Sequence, residues 1–343
     1  MSDLRFAIFG TGYWARFQLA AWLELEGARC VALYNRTKSK AEALGREFGV
    51  SAVYDDPEAL LDNETLDFID IITDVDTHSR FVHMAAERGL AAICQKPMAP
   101  DLATAQAMKR ACEDAGVPLL IHENFRWQTP LRSLKEVLGQ GEIGEVFRAR
   151  LSFNSSFPVF DNQPFLKEIE QFMLVDVGSH VLDVTRFLFG EAESLVCQTK
   201  RVNPEIKGED VATVMLQMAS GSTVVCELSY ASRTEFERFP QTYALIEGDK
   251  GSIALTQDYW IRVTTEAGTF AKRYPPPRYA WADPEYDAVQ ASIVPCNEDL
   301  LRALQGRGSA ETTASDNVKT MELVYGSYES AASGDRYVIE ATR

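Results

Sequence analysis

The fold is decided by residues 4–15, Leu4-Arg5-Phe6-Ala7-Ile8-Phe9-Gly10-Thr11-Gly12-Tyr13-Trp14-Ala15. The apolar run before Gly10 predicts a buried strand, and a helical pattern begins after Gly12. The Gly-x-Gly-x-x-Ala motif between them stands in the strand-to-helix context in which it binds the pyrophosphate of a dinucleotide. The first glycine permits the tight turn, the second lets the backbone approach the phosphates, and the small Ala15 lets helix and strand pack closely. A glycine-rich turn without a ligand is the alternative. The predicted cofactor contacts are Gly10, Thr11, Gly12, Tyr13 and Trp14.

The residues that follow this loop predict an α/β domain over residues 1–123. Short β-branched runs alternate with helical stretches, as they do where crossover helices join parallel strands. The predicted strands are Arg5–Phe9, Cys30–Tyr34, Ala52–Tyr54, Phe68–Ile72, Ala91–Cys94 and Leu119–His122. The predicted helices are Ala15–Leu25, Lys38–Phe48, Ser79–Arg88 and Leu102–Ala115. We therefore expect an N-terminal Rossmann domain, with ligands bound at the carboxyl ends of its strands.

A different pattern predicts a C-terminal α+β domain over residues 124–343. Longer alternating strands follow one another through tight turns, which is typical of a large, mostly antiparallel open sheet. The clearest strands are Val211–Met218, Thr223–Ser229, Thr242–Glu247 and Ser252–Thr256, and the predicted helices are Leu174–Phe189, Asn297–Leu304 and Ala314–Ala332. The last helix, about residues 314–332, could pack back on the first domain. Because one face of such a sheet has no helices of its own, we expect a homodimer or homotetramer.

The composition excludes several classes of partner. The formal net charge of -16 opposes binding to nucleic-acid phosphates and to anionic membranes. No apolar stretch approaches the roughly 18 residues of a membrane span, and the N-terminus does not resemble a secretory signal. The six cysteines form no Cys-x-x-Cys pair and the four histidines form no His-x-x-x-His pair. This usage predicts a cytoplasmic protein with neither disulfides nor a dedicated metal site.

The residues that end the second predicted strand leave the choice of cofactor open. A carboxylate about 20 residues after the glycine motif usually binds the ribose 2'-hydroxyl of NAD, but here the residues are Asn35 and Arg36. Asn35 can bind a free 2'-hydroxyl, whereas Arg36 can pair with the 2'-phosphate of NADP or stack on adenine. Arg36 could equally be a solvated loop cation. These two residues alone do not separate NAD from NADP.

Three titratable residues are the candidates for catalysis. Lys96 follows the fifth predicted strand, at the sheet edge where doubly wound folds bind ligands. Asp176 and His180 are four residues apart, so on a helix they share one face, and histidine suits proton exchange near neutral pH. For Lys96 the structural alternative is a solvated Lys-Pro turn. For Asp176 and His180 it is a surface i,i+4 pair or a histidine satisfied within the core, because neither pattern is specific by itself.

The glycine motif, Lys96-Pro97 and the Asp176-x-x-x-His180 helix together resemble the glucose-fructose oxidoreductase, inositol dehydrogenase and MocA family over nearly the whole chain. The resemblance implies an enzyme that oxidises a small sugar or polyol with a nicotinamide cofactor. It implies further cofactor contacts at Thr73, Asp74, His78, Gln95, Lys96, Asn124 and Gln163. The implied substrate contacts are Lys96, Asn124, Arg126, Asp176 and His180. Gln95 departs from the family, which has glutamate at that position.

Within the family, the segments Asn35-Arg36-Thr37 and Gln95-Lys96-Pro97 and residues 122–127 resemble the members that oxidise D-apiose with NAD. This resemblance favours NAD and a small sugar as substrate, with the anomeric hydroxyl as the candidate for oxidation. We expect His180 to accept the proton of that hydroxyl, while Lys96 stabilises charge on its oxygen and Asp176 binds a neighbouring hydroxyl or orients the imidazole. Two other functions stay open, a glycosidase that keeps NAD bound and a non-enzymatic dinucleotide sensor.

Overall fold

The computed structural model describes residues 3–235 and 239–339. The chain forms two compact units, and neither is continuous in sequence. The first unit contains residues up to Glu123 together with Ala280–Ala282 and Ile293–Met321, and the second contains Asn124–Tyr279, Asp283–Ser292 and the residues from Glu322 onward. No described helix is both long enough and apolar enough to span a lipid bilayer.

The first unit contains a six-stranded parallel sheet with the order β3-β2-β1-β4-β5-β6. Its strands are β1 (Leu4–Phe9), β2 (Ala28–Tyr34), β3 (Ala52–Tyr54), β4 (Phe68–Ile71), β5 (Ala91–Gln95) and β6 (Leu119–His122). The crossover helices are α1 (Tyr13–Trp22), α2 (Lys38–Phe48), α3 (Pro57–Asn63), α4 (Val75–Glu87) and α5 (Leu102–Ala115). The strand order reverses between β1 and β4, which confirms the predicted Rossmann fold.

Local signals explain most of these boundaries. Helices α2 and α5 end where Gly49 and Gly116 adopt left-handed φ angles of 74° and 68°. Helix α3 was not among the predicted elements, although Asp56 caps it and Pro57 occupies its first turn. It is only 7 residues long, so its apolar periodicity is too short to recognise. Helix α4 begins at Val75, one turn before the predicted Ser79.

The second unit contains a nine-stranded sheet with the order β14-β13-β12-β11-β7-β10-β9-β8-β15. The strands are β7 (Val146–Asn154), β8 (Ala192–Lys200), β9 (Val211–Met218), β10 (Thr223–Ser229), β11 (Tyr243–Gly248), β12 (Gly251–Thr256), β13 (Trp260–Thr265), β14 (Gly268–Arg273) and β15 (Tyr337–Val338). All neighbours pair antiparallel except β10 and β7, which are parallel. The predicted mostly antiparallel sheet is therefore confirmed.

The second unit also contains helices, some of which pack on its sheet. They are α6 (Thr129–Gly139), α7 (Val159–Asn162), α8 (Ser179–Phe189) and α9 (Asp287–Ala291). Alternate residues of β9 and β10 are buried, and α8 packs on this buried face. Two further helices follow in sequence, α10 (Ile293–Leu304) in the first unit and α11 (Ala314–Ser333), whose residues divide between the units at Met321.

The predicted helix Leu174–Phe189 is not uniform. Leu174–Gly178 forms a π-helical turn, and the α-helix proper begins at Ser179. Asp176 therefore lies in the π-helical turn and His180 in α8, so the prediction of one continuous α-helix was wrong at its N-terminal end. Periodicity did not reveal the change, because a single wider turn leaves the apolar pattern of the following helix intact.

Candidate active site

The glycine loop has the geometry that a bound dinucleotide requires. Gly10 has a φ of +97°, and a Cβ there would lie 2.5 Å from the Ile72 carbonyl oxygen. At Gly12, which precedes the first turn of α1, a Cβ would meet no atom of the described residues within 4 Å. The Thr11 Oγ1 atom is buried and has no hydrogen-bond partner among those residues. Open space, an unsatisfied hydroxyl and a helix N-terminus together fit the pyrophosphate of NAD.

Asn35 ties this loop to the end of β2. Its Oδ1 accepts a hydrogen bond from the Thr11 N–H at 3.1 Å, and its Nδ2 donates to the Thr37 carbonyl oxygen at 3.0 Å. Both functional groups of the amide are thus used within the first unit. The next residue, Arg36, is exposed. Tyr13 is also exposed and Trp14 is partly buried, both in the first turn of α1.

The loop after β4 is held by His78. The imidazole is 1% exposed, and Nε2 lies 3.1 Å from the Thr73 carbonyl oxygen while Nδ1 lies 3.1 Å from the Pro97 carbonyl oxygen. His78 therefore links the segment before α4 to the segment after Lys96. Burial lowers the pKa of His78, which favours the neutral ring. Asp74 is exposed at the start of α4, and its side chain makes no capping bond in the described structure.

Lys96 directly follows β5 and is half-buried. Its backbone N–H donates to the Oε1 atom of Gln95 at 2.9 Å, and the peptide bond to Pro97 is cis. Gln95 itself is 7% exposed, and its Nε2 faces Gln18 and His122. The side chain of Gln95 is therefore directed into the first unit, and it fixes the backbone at the lysine.

In the second unit, His180 is 5% exposed and lies flat against Phe125. The ring centroids are 3.8 Å apart and the planes are inclined by 7°. Such stacking restricts rotation of the imidazole and excludes water from one of its faces. Phe125 belongs to a short 3-10 helix, Phe125–Trp127, that contacts α8. Phe125 lies within residues 122–127, a segment that carries the family resemblance, but it was not itself among the predicted contacts.

Asp176 has a partner, Tyr230, that no local sequence pattern indicates. The Tyr230 hydroxyl donates to Asp176 Oδ2 at 3.4 Å, and the Tyr230 ring stacks on Phe172. Burial, together with the charge of Asp176, raises the pKa of Tyr230 well above its usual value. The phenol therefore stays protonated and can keep donating. Tyr230 follows β10, far from Asp176 in sequence, so no local pattern announces this contact.

The remaining predicted residues of the second unit have structural partners of their own. Asn124 Nδ2 donates to the Val289 carbonyl oxygen at 3.1 Å and to Ser292 Oγ at 2.8 Å. Arg126 forms a bidentate pair with Asp183, at 2.8 Å from Nε and 2.6 Å from Nη2, and both side chains are buried. Gln163 lies in the partly exposed loop after α7.

The structure thus groups the predicted residues by unit. The first unit contains the glycine loop, Asn35, Arg36, Thr73, Asp74, His78, Gln95 and Lys96, and the second contains Asn124, Arg126, Gln163, Asp176 and His180. Within residues 3–235 and 239–339, no three His, Cys, Asp or Glu side chains converge as metal ligands would.

Comparison with known proteins agrees with this arrangement. Residues 4–123 match the oxidoreductase family with an NAD-binding Rossmann fold, and residues 131–254 match the GFO/IDH/MocA C-terminal domain. A D-apiose dehydrogenase from Paraburkholderia graminis is 44% identical over 328 residues, which is 96% of this chain and 88% of that protein. Another from Rhizobium rhizogenes is 42% identical over 334 residues, which is 97% of each protein.

A solved structure is similar over the same range. An oxidoreductase from Agrobacterium radiobacter, in complex with NAD+, L-tartaric acid and magnesium, has a TM-score of 0.96 at 42% identity and covers 98% of both chains. Both domains therefore match, and relatives at 42% and 44% identity span nearly the whole sequence. This chain belongs to the Gfo/Idh/MocA oxidoreductase family and is an NAD-binding oxidoreductase.

Proposed function

We propose that this enzyme oxidises a hydroxyl of a small sugar, with D-apiose as the candidate substrate. The observation that carries the proposal is the identity of 42% to 44% with two D-apiose dehydrogenases over nearly the full length. Oxidation at the anomeric carbon converts the cyclic sugar to its lactone. Bound NAD supplies the hydride acceptor, while the protein supplies orientation and proton transfer.

The proposed catalytic residues are Lys96, His180 and Asp176. His180 accepts the proton of the reacting hydroxyl, because a buried, stacked imidazole is held in one orientation. Lys96 donates a hydrogen bond to the same oxygen and stabilises its developing negative charge. Asp176 binds a neighbouring hydroxyl, and the hydrogen bond from Tyr230 orients its carboxylate.

The proposed NAD contacts start at the glycine loop, where Thr11 has an unsatisfied hydroxyl. We extend them to Thr73, Asp74 and Lys96 at the strand ends, and to Gln163. For His78, Gln95, Asn124 and Arg126, the hydrogen bonds within the protein favour an indirect role in which they hold neighbouring backbone or helices in place.

The absence of a carboxylate at the end of β2 bears on cofactor choice. The uncharged side chain of Asn35 hydrogen-bonds to Thr11 and Thr37. No carboxylate therefore stands at the end of β2 to repel the 2'-phosphate of NADP. Arg36 is exposed beside Asn35. These two features permit binding of NADP. We nevertheless propose NAD as the physiological cofactor, with slower turnover of NADP, because the first unit matches an NAD-binding family and the similar Agrobacterium radiobacter structure holds NAD+.

The test is a screen of aldoses, including D-apiose, that follows the absorbance of the reduced cofactor with NAD and NADP in parallel. Lys96→Met and His180→Ala should each lower turnover about a hundredfold or more. Lys109→Met and His83→Ala are the matched controls, since both residues lie on helices outside the proposed site. Their turnover should equal that of the wild type.

Either catalytic variant with wild-type turnover would remove that residue from the mechanism. Conversion of a glycoside without net NADH would instead indicate a glycosidase that keeps its dinucleotide bound. Tight NAD binding without turnover of any sugar would contradict the proposed oxidation.

We further propose that the enzyme works in the cytoplasm as a homo-oligomer. Among the described residues all six cysteines are free, and five of them are buried. Such cysteine usage is typical of a reducing compartment. Support for the oligomer comes from half-exposed apolar side chains on the outer face of the nine-stranded sheet.

A further inference from the structure

A network of buried polar side chains crosses the first unit from β4 to the end of β5. Asp70 accepts two hydrogen bonds from Gln18 Nε2, at 2.8 Å and 2.9 Å, and one from Trp22 Nε1 at 2.8 Å. Gln18 Oε1 accepts from Gln95 Nε2 at 2.8 Å, and Gln95 Oε1 accepts from the Lys96 N–H at 2.9 Å. We call these side chains, together with His122, the Asp70 network. Buried networks of this kind are strongly directional.

His122 forms a branch of the network. Gln95 Nε2 lies 3.1 Å from His122 Nδ1, and His122 Nε2 lies 3.0 Å from Asn297 Oδ1. Since both hydrogens of the Gln95 amide are donated, His122 Nδ1 must accept. The proton of the neutral imidazole therefore resides on Nε2, from which it is donated to Asn297.

The two ends of the network determine its direction. A carboxylate only accepts hydrogen bonds and a backbone N–H only donates them. Gln18 must therefore turn its amide nitrogen toward Asp70 and its oxygen toward Gln95. Gln95 must then turn its nitrogen toward Gln18 and its oxygen toward Lys96. Both ends require the same amide orientations, so the directions do not depend on how either amide was assigned.

We infer that the Asp70 network positions Lys96, with Asp70 setting the direction in which every amide points and Gln95 passing that direction to the lysine backbone. Asp70, Gln18 and Gln95 are thus positioning residues, which act through Lys96. The inference rests on the proposed function, because it assigns the network a role through the proposed catalytic lysine.

The network also explains why position 95 holds glutamine. A glutamate there would present acceptors to Gln18, whose nitrogen is already directed at Asp70. Turning Gln18 around would place its oxygen against the Asp70 carboxylate. Asp70 and Gln95 are therefore complementary, and a carboxylate can occupy only one of the two positions. An amide at both positions fails as well, because the amide nitrogen that Asp70→Asn introduces would face the nitrogen of Gln18.

The test is a cycle of Asp70→Asn, Gln95→Glu and the double variant D70N/Q95E. Each single variant should lower kcat for sugar oxidation tenfold or more, because a displaced catalytic group costs up to ~10²-fold in rate. KM for NAD should change by a smaller factor than kcat, because the glycine loop proposed to hold the dinucleotide is not altered. In the double variant Gln18 can turn and satisfy both neighbours, so kcat should recover at least tenfold over the weaker single variant. Burial raises the pKa of Asp70 to about 7, so the assays are made at pH 8.5.

Loss of stability alone must be separated from loss of positioning. Met108→Ala is the matched control, because Met108 is fully buried in α5 and belongs to no part of the network. It should lower Tm as much as the single variants while kcat stays at the wild-type value. A similar loss of kcat in Met108→Ala would overturn the inference.

The tautomer of His122 provides a readout without turnover. With ¹⁵N-labelled histidine, the ring nitrogen shifts of His122 should show a proton on Nε2 in the wild type and on Nδ1 in the double variant; His122→Gln assigns the signal. If this exchange is seen but the wild type oxidises no sugar, the proposed function fails and the network stands. If Lys96→Met keeps wild-type turnover, the role of the network in catalysis is overturned. If Lys96→Met is inactive but the tautomer and kcat do not respond to the double variant, the inference fails and the proposed function stands.

Discussion

Two amide side chains occupy positions where a carboxylate is the common choice. Asn35 stands where an acid usually binds ribose, and Gln95 stands where the family has glutamate. Each amide accepts from a backbone N–H, of Thr11 or of Lys96, and donates to an acceptor on its other side. A carboxylate could fill only the accepting half of this role. The two amides thus each bind a backbone N–H next to the proposed site.

The buried pair of Arg126 and Asp183 leads to a stability prediction. Arg126→Leu should lower the free energy of unfolding by about 3–5 kcal/mol, because it leaves the Asp183 carboxylate buried without its partner. Urea denaturation measures the change. Lys109→Leu is the control, since its exposed i,i+4 pair with Glu113 contributes about 0.5 kcal/mol or less. Wild-type stability combined with a raised KM for the sugar would assign Arg126 to the substrate instead.

Asp70 leads to a prediction about pH. Burial raises its pKa from 3.8 to about 7, against the opposing hydrogen bonds from Trp22 and Gln18. Between about pH 4 and pH 7 the folded protein therefore holds a proton that the unfolded chain releases, so the contribution of Asp70 to stability falls as pH rises. The nearby thiols of Cys30 and Cys94 have pKa values raised above 9.0 and do not titrate in this range.

The measurement is urea denaturation of wild type and Asp70→Asn at pH 4.5 and pH 8. The stability of the variant relative to the wild type should rise by roughly 3–4 kcal/mol between the two pH values. Other titrating groups cancel in this difference. A difference that does not change with pH would show that the pKa of Asp70 is not raised.

At the scale of elements, the π-helical turn Leu174–Gly178 is the feature closest to the proposed chemistry. It places Asp176 one wider turn ahead of His180 at the start of α8. Single π-helical turns occur often at functional sites, where they change the direction of a side chain without ending the helix. The hydrogen bond from Tyr230 then holds the carboxylate in that direction.

Two helix starts in the first unit offer a matched comparison. Asp101 caps α5 by accepting from the Thr104 N–H at 2.7 Å, whereas Asp74 precedes α4 without a capping bond. Asp101→Ala should lower the free energy of unfolding by about 1 kcal/mol and leave NAD affinity unchanged. Asp74→Ala should have a smaller effect on stability and should alter NAD affinity, as measured by calorimetric titration. The opposite pattern would remove Asp74 from the cofactor site.

At the scale of the whole molecule, the outer face of the nine-stranded sheet is the candidate oligomer interface. Val196, Met215 and Val225 lie side by side in register on this face, and Leu245 continues the row beyond Arg150. Met215 is 48% exposed and the other apolar members are half-buried. Three adjacent exposed or half-buried apolar side chains, with a fourth beyond Arg150, are typical of a surface that a second copy covers.

The double substitution Met215→Glu and Leu245→Glu should dissociate the oligomer. Light scattering after gel filtration should give a multiple of 38.3 kDa for the wild type and the single mass for the variant. Lys109→Glu, which lies on α5 in the other unit, should leave the mass unchanged. A monomeric wild type would contradict the proposed assembly.

The sequence by itself determined the Rossmann domain, most of its strand boundaries and the hairpin Val211–Ser229. The signals that allowed this are local, each contained within a few residues. They are the glycines of a tight turn, the alternation of apolar and polar residues in a strand, and the glycines that end helices. The candidates Lys96, Asp176 and His180 could also be named in advance, because their spacing matches a known family. Helix α3 was missed because its periodicity extends over only 7 residues. Helix α6 was missed as well, although its 11 residues equal the length of the predicted α2.

Only the tertiary structure decided what those residues touch. Three hydrogen-bonded pairs join residues more than fifty positions apart: Arg126 with Asp183, Tyr230 with Asp176, and Gln18 with Asp70. The parallel contact between β7 and β10 is equally remote in sequence. Hydrogen bonds of this kind depend on which strands and helices become neighbours, and propensity along the chain carries no information about that. The orientation of an amide such as Gln95 is decided still later, by the donors and acceptors that folding brings around it.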